Sequence, residues 1–369
     1  MGVFAVARAG VGGQCLVRRA PLHAGIVTYT ESILELNDNG LYCASGDLHI
    51  DPWRAVDRAV ITHAHADHAC AGSRAYLTAQ PGEALLRARV GPDAAIQTLT
   101  YREAIDLGGV RVSLHPAGHI LGSAQVRVES GGEVWVVSGD YKLEPDPTCE
   151  PFEPVACDTF VTEATFGLPI YRWPVESAVL AEIQAWWNAN QQTGKASVLF
   201  AYSLGKAQRV LAGIAGAAGE IYTHGAVENF CRAYRAAGIA LAPTTHVAAA
   251  GDADWSRALI VAPPSANGTP WMRRFGALST GFVSGWMRIR GARRRRSLDR
   301  GFVLSDHADW SGLMSAIRAT GASRVWVTHG YRAPVVEWLK QQGLDAQAVE
   351  TRFEGDQDET GAEPPEAES

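Results

Sequence analysis

His63-Ala64-His65-Ala66-Asp67-His68 places four metal-binding side chains within six residues, directly after the apolar stretch Ala59-Val60-Ile61-Thr62. At an extended strand end or tight turn, His63 and His65 point the same way and share one metal, while Asp67 and His68 step past it toward a second. Imidazole and carboxylate donors suit zinc and tolerate manganese or iron. A lone histidine is usually just a satisfied polar residue. Four such donors at this spacing point to metal-dependent hydrolysis.

A binuclear site needs ligands from elsewhere, and the chain offers them at strand ends. His119 lies in Gly118-His119-Ile120-Leu121-Gly122-Ser123-Ala124, where flanking glycines allow a sharp turn between the apolar runs 110 to 114 and 124 to 128. Asp140 follows Val134-Trp135-Val136-Val137 in the turn Ser138-Gly139-Asp140, and His329 follows Val325-Trp326-Val327-Thr328. Each is a polar group at the mouth of a buried strand, where α/β proteins place their chemistry.

These pieces, in order, resemble the metallo-β-lactamase superfamily. Thr162-Glu163-Ala164-Thr165-Phe166-Gly167, Ser305-Asp306-His307-Ala308-Asp309 and Thr328-His329-Gly330 resemble motifs A, B and C of its β-CASP nucleases, and the ordered set spans residues 51 to 330. Gly46-Asp47-Leu48-His49-Ile50-Asp51-Pro52-Trp53, Phe166-Gly167-Leu168-Pro169-Ile170-Tyr171-Arg172-Trp173 and Tyr202-Ser203-Leu204-Gly205-Lys206-Ala207-Gln208 look like the bacterial DNA-ligase-associated exonuclease branch. The expected fold is therefore α/β, a metallo-β-lactamase αββα sandwich with an inserted β-CASP α/β domain.

The resemblance implies a ligand set. His63, His65 and His119 hold one divalent cation, Asp67, His68 and His329 a second, and Asp140 bridges both. The expected cofactors are two divalent ions, zinc or alternatively manganese. The metal pair activates a hydroxide that attacks phosphorus, with Asp67 orienting it. Asp51, twelve residues before the cluster, matches the family's first acidic motif. It reads either as a turn residue before Pro52 or as a hydrogen-bonding group that orients a ligand. Glu163 and His307 are the candidates for protonating the leaving group, with phosphate binding or bracing of the domain interface as the alternative.

The implied activity is a metal-dependent DNA exonuclease in DNA repair, with DNA as the favoured nucleic acid and a DNA ligase and a helicase as associated partners. The alternative is an RNA-processing nuclease of the RNase J or mRNA 3′-end-processing type, because a histidine at motif C, here His329, is associated with RNA-processing members. An inactive nucleic-acid-binding scaffold is the reading of another class, and the filled ligand positions argue against it. A lactamase or thioesterase would have no use for motifs A and B or the insert.

Contacts to the nucleic acid are expected from Arg288, Arg290 and the run Arg293-Arg294-Arg295-Arg296, since arginine makes bidentate phosphate contacts. Gly205-Lys206-Ala207-Gln208, at a strand-to-helix turn, resembles a phosphate cradle with Lys206 as its cation. It is not a P-loop, lacking the spacing glycine and the Ser/Thr after the lysine. Trp271, Arg273 and Arg274 form a second basic-aromatic patch, read as packing ahead of base stacking.

At 369 residues and 47% hydrophobic content the chain is long enough to bury a large core. The net charge of −6 is concentrated at one end: residues 354 to 369 carry seven acidic residues and no basic one, which leaves residues 1 to 353 at +1. The six cysteines show no C-x-x-C pairing and read as free thiols in a reducing cytoplasm. No signal-peptide core and no run of about 18 apolar residues occurs, so neither export nor membrane insertion is expected.

Residues 27 to 165 alternate short β-rich runs with Gly and Pro punctuation, interrupted by a helix at Glu83–Val90. After Pro174 the texture changes to helix 175 to 190, strand 197 to 200, helix 206 to 217, then further alternation at 220 to 222, 226 to 237 and 259 to 261. Such alternation predicts a parallel sheet flanked by helices. The expected organisation is a flexible extension over 1–26, the first part of the metallo-β-lactamase domain over 27–169, the β-CASP insert over 170–300, the second part over 301–352, and a disordered acidic tail over 353–369. The active site is expected in the cleft between the two domains.

Overall fold

A computed structural model describes residues 32–216, 219–289 and 298–351. The N-terminal stretch 1–26 and the acidic tail 353–369 lie outside the described residues.

The first sheet holds β1 (Glu35–Asn37), β2 (Gly40–Cys43), β3 (Leu48–Ile50), β4 (Arg58–Val60), β5 (Ala75–Ala79) and β6 (Ile96–Leu99), in that order. It starts antiparallel and turns parallel from β3 onward. Helix α1 (Glu83–Val90) covers its outer face through Leu85 and Leu86, against Ala59, Ile61 and Tyr76.

The chain then forms β7 (Ala104–Leu107), β8 (Val110–Pro116), β9 (Ala124–Ser130), β10 (Glu133–Val137) and β11 (Thr159–Glu163), and leaves this body. It builds α2 (Glu176–Gln192), β12 (Ala196–Phe200), α3 (Lys206–Gly213), β13 (Ile221–Thr223), α4 (Gly225–Ala236), β14 (Thr245–His246), β15 (Leu259–Ala262), β16 (Leu278–Val283) and β17 (Arg300–Phe302). It returns with α5 (Trp310–Thr320), β18 (Arg324–Thr328), α6 (Arg332–Gln341) and β19 (Asp345–Ala348). The second sheet has the order β19-β18-β11-β10-β9-β8-β7, so the returning strands pair with the departing one.

Side-chain alternation explains the layering. In β10, Trp135 and Val137 face the first sheet while Val136 faces the α5–α6 layer; in β18, Val325 and Val327 face that layer while Trp326 points back. Strands buried on both faces read as near-continuous apolar runs, as these do. The result is helix, sheet, sheet, helix. Asp309 caps α5 by accepting from Gly312 N at 2.8 Å, and Gly321 ends it at φ 68°.

The third sheet is parallel throughout, in the order β14-β13-β15-β12-β16-β17. Helices α2, α3 and α4 pack one face through Val179, Ile183, Leu211 and Val227. Helix α3 ends at Gly213, earlier than its alanine-rich sequence predicts, and Gly216 at φ 90° turns the chain away from helical geometry. Among the described residues the five cysteines are free thiols, and no helix is long and apolar enough to cross a membrane.

Candidate metal centre

The donors arrive from strand ends. His63, His65, Asp67 and His68 follow β4, His119 sits in the β8–β9 turn, Asp140 follows β10, Glu163 ends β11, His307 lies between β17 and α5, and His329 follows β18. Gly139 makes one approach possible: at φ 56°, a Cβ there would lie 2.7 Å from the Thr62 side chain, so only glycine lets the β10 turn press against the His63 loop. Asp51 (φ 45°) and His329 (φ 50°) both adopt left-handed backbone, which is uncommon for residues other than glycine and concentrates at functional sites.

Hydrogen bonding fixes which ring nitrogens face inward. His65 Nε2 lies 3.2 Å from the Leu204 carbonyl and His119 Nδ1 2.8 Å from the Asp306 carbonyl. A carbonyl oxygen only accepts, so each ring carries its proton on that side. Thr62 Oγ1 donates to Asp51 at 2.6 Å, which leaves it an acceptor for His63 Nδ1 at 3.1 Å. The three remaining nitrogens, His63 Nε2, His65 Nδ1 and His119 Nε2, are therefore all lone-pair donors. His65 Nδ1 is 3.1 Å from each of the other two, and Asp140 Oδ2 is 3.4 Å from His63 Nε2. Four electron-pair donors within 4.8 Å of one another repel unless a cation joins them, so the donor set fits a metal ion.

Burial, reinforced by neighbouring rings, holds His63 and His119 well below the usual imidazole value, so both are neutral and ready to ligate. Burial likewise lowers His65 and His329. His68 behaves oppositely. Burial disfavours its charged form, but the carboxylates of Asp67, Asp140 and Asp51 outweigh that and lift it well above the usual value. His68 Nδ1 donates to Asp51 Oδ2 at 2.8 Å, while Nε2 faces Asp140 Oδ2 at 3.4 Å and Asp67 Oδ2 at 3.5 Å. Carboxylates that favour a proton there also favour a metal ion. His329 completes this side, its ring centroid 5.4 Å from that of His68.

Asp51 is both a turn residue and a hydrogen-bonding hub, because its carboxylate also accepts from Thr62 N at 2.8 Å. Glu163 and His307 meet beside Asp140, with Nδ1 of His307 2.9 and 3.1 Å from the two carboxylate oxygens, and the ligand atoms of the three residues lie within 4.8 Å of one another. Tyr141 N donates to Glu163 at 2.9 Å and steadies that carboxylate. The His307 ring lies 4.8 Å from that of His119.

The expected substrate-contacting residues are placed differently. Lys206 is buried, its ammonium 3.7 Å from Asp306 Oδ2 and 4.2 Å above the Tyr202 ring. Arg288 is exposed, with Nε 3.4 Å from the Ile170 carbonyl. Arg290, Arg293, Arg294, Arg295 and Arg296 lie outside the described residues. Trp271 packs on His224 and Phe275 at 4.9 Å each, with Arg274 5.6 Å from its ring. Sequence reasoning missed the carbonyls of Leu204 and Asp306 and the Thr62 hydroxyl. Only Thr62 carried a signal, standing directly before His63.

No family model matches the chain. It is 31% identical over 314 residues, 84% of its length, to a protein of Opitutus terrae named Probable DNA ligase, and covers 30% of that protein. It is also 31% identical over 120 residues to Cleavage and polyadenylation specificity factor 73 of Drosophila melanogaster, a match that covers 31% of this chain and 17% of that one. The fold is that of the metallo-β-lactamase superfamily with a β-CASP insertion. Its first two sheets are the metallo-β-lactamase sandwich, and the parallel third sheet is the β-CASP insertion. This β-CASP chain spans less than a third of the length of these relatives. A solved structure of a protein of unknown function from Enterococcus faecalis is similar at a TM-score of 0.49 and 11% identity, over 73% of this chain and 74% of that one.

Proposed function

We propose that this β-CASP chain is a metal-dependent phosphodiesterase that degrades DNA from an end, in repair and alongside a DNA ligase. The observation that carries the chemistry is the convergence of His63, His65, His119 and Asp140 as electron-pair donors. The choice of DNA is supported by similarity over 84% of the chain to the relative named as a probable DNA ligase, against 31% to the cleavage and polyadenylation specificity factor.

His63, His65 and His119 would hold one cation, Asp67, His68 and His329 the other, with Asp140 between them. Such cations supply Lewis acidity, which brings the pKa of water toward neutrality and offsets charge on a phosphoryl group. The remaining work falls to the chain. Asp67 orients the attacking water. Asp51 holds the His68 ring in place through its Nδ1 proton. Glu163 keeps the proton of His307 on Nδ1 and stabilises its charged form, so that Nε2 delivers a proton to the leaving oxygen as the P–O bond breaks. The exposed Arg288 and the arginines at 290 and 293–296 supply sequence-independent attraction to the backbone.

The test is incubation of the purified chain, with zinc or manganese, with single-stranded DNA and RNA of matched sequence labelled at either end, and with Asp140→Ala as the contamination control. Loss of DNA to end-derived mononucleotides is the expected result and gives the polarity. Preferential RNA cleavage would replace the reading with an RNase of the mRNA-processing type, which His329 at motif C favours. No cleavage of either beyond the control would sink both.

A further inference from the structure

Resting on the metal-centre reading above and deepening it, we propose that Arg209 of the inserted domain is a positioning residue for the first metal position, acting on His119 through the backbone carbonyl of Asp306. Arg209 lies on α3, is 3% exposed, and reaches three separate segments. Its Nη1 donates to the Ser305 carbonyl at 2.5 Å and to Asp306 Oδ1 at 3.1 Å. Its Nη2 and Nε bind Glu176 Oε2 at 2.5 and 3.0 Å, and Nε is also 3.4 Å from Asp146 Oδ2. The Ser305–Asp306 peptide is thus gripped from both its carbonyl side and its side chain.

The carbonyl that follows, Asp306 O, is the one that accepts from His119 Nδ1 at 2.8 Å. That bond selects the His119 tautomer and turns Nε2 toward His65 Nδ1 and Asp140. Partners of this kind typically govern metal affinity by ~10 to 100-fold. Only a planar fork can serve a carbonyl and carboxylates on several sides at once; a lysine there keeps the charge but loses the fork. Burial of so many ions is tolerable because the cluster balances: Lys142, Lys206 and Arg209 face Asp146, Glu176 and Asp306. A cation of the inserted domain thereby sets a ligand of the sandwich.

The experiment is a double-mutant cycle on the full chain, with zinc affinity measured by chelator competition and the visible spectrum of the cobalt(II) form as a second readout. Arg209→Lys is expected to weaken zinc binding by ~10 to 100-fold and to shift the cobalt band toward that of His119→Ala. In the His119→Ala background the same substitution should cost nothing further. Should Arg209→Lys fail to fold by circular dichroism, Asp306→Asn, isosteric and without the charge that Arg209 grips, carries the same cycle with the same expectation. Zinc affinity equal to wild type, or an equal loss with and without His119, overturns the proposal while leaving the metal centre standing. A wild-type chain that takes up no zinc overturns the metal centre and this proposal together.

Discussion

Two buried polar clusters lie side by side and follow opposite rules. In the Lys142–Asp146–Arg209–Glu176–Asp306–Lys206 cluster, every cation faces a carboxylate at 2.5 to 3.7 Å, so the charges answer one another within the protein. In the His63–His65–His119–Asp140 cluster, donors of electron pairs face donors of electron pairs, because their protons are committed to Leu204, Asp306 and Thr62 on the far sides. Both clusters are polar and largely buried, with His65 and Glu176 half-buried. What separates a structural ion cluster from a metal centre here is the direction of the protons.

The comparison breaks most visibly at Asp140. Asp140→Asn should bring turnover to background and lower bound zinc, measured by elemental analysis after dialysis. Retained zinc and retained turnover would show that the oxygen is dispensable. Under the proposed roles of Glu163 and His307 in leaving-group protonation, His307→Ala should cut turnover by ~10² to 10⁴ while leaving the metal content intact, although their ligand atoms and that of Asp140 lie within 4.8 Å of one another. If metal is lost in parallel, that flank belongs to the metal centre instead.

The self-balanced cluster should respond in stability. Asp146→Asn strips a carboxylate from Lys142 and Arg209, and removing one partner of a buried pair costs about 3 to 5 kcal/mol, readable by urea denaturation. Burial works against the Asp146 carboxylate ion, but Lys142 and Arg209 prevail and hold its folded pKa below the ordinary value of 3.8. Its contribution is thus fully present above about pH 4 and fades as the pH falls through the folded value. Wild type and variant should converge in acid; a constant gap down to pH 2 would assign the loss to packing. The smallest effect is expected at Asp51. Asp51→Asn should weaken metal binding by ~10 to 100-fold with little change in stability, and an unaltered affinity would reduce Asp51 to its turn.

Much of the histidine cluster was legible because its donors follow apolar runs and sit beside glycines, so strand end and ligand coincide in a few residues. The four-layer order was expected from the family resemblance, whereas the uninterrupted runs 134 to 137 and 325 to 328, which two-sided burial leaves, marked only individual strands. The ion cluster around Arg209 was not legible. Arg209 meets Asp306 across 97 residues, and His65 meets Leu204 across 139 through a backbone carbonyl that no side-chain pattern marks. Lys206 read as a phosphate contact because a helix N-terminus offers free N–H groups, and nothing local announces Asp306 as its neighbour at 3.7 Å. The early end of α3 was hidden by alanines, whose helical preference yields to the glycine turn at 216.

The carbonyls of Leu204 and Asp306 that orient two of the sandwich's imidazoles have a consequence for folding. Both come from chain that lies far beyond His65 and His119 in sequence, and His329 follows later still. Contacts of such long sequence separation form late, after loop closure has been paid in entropy. In a partly folded or partly synthesised chain His65 and His119 lack the carbonyls that orient them, so on the proposed reading metal capture should follow closure of the inserted segment onto the sandwich.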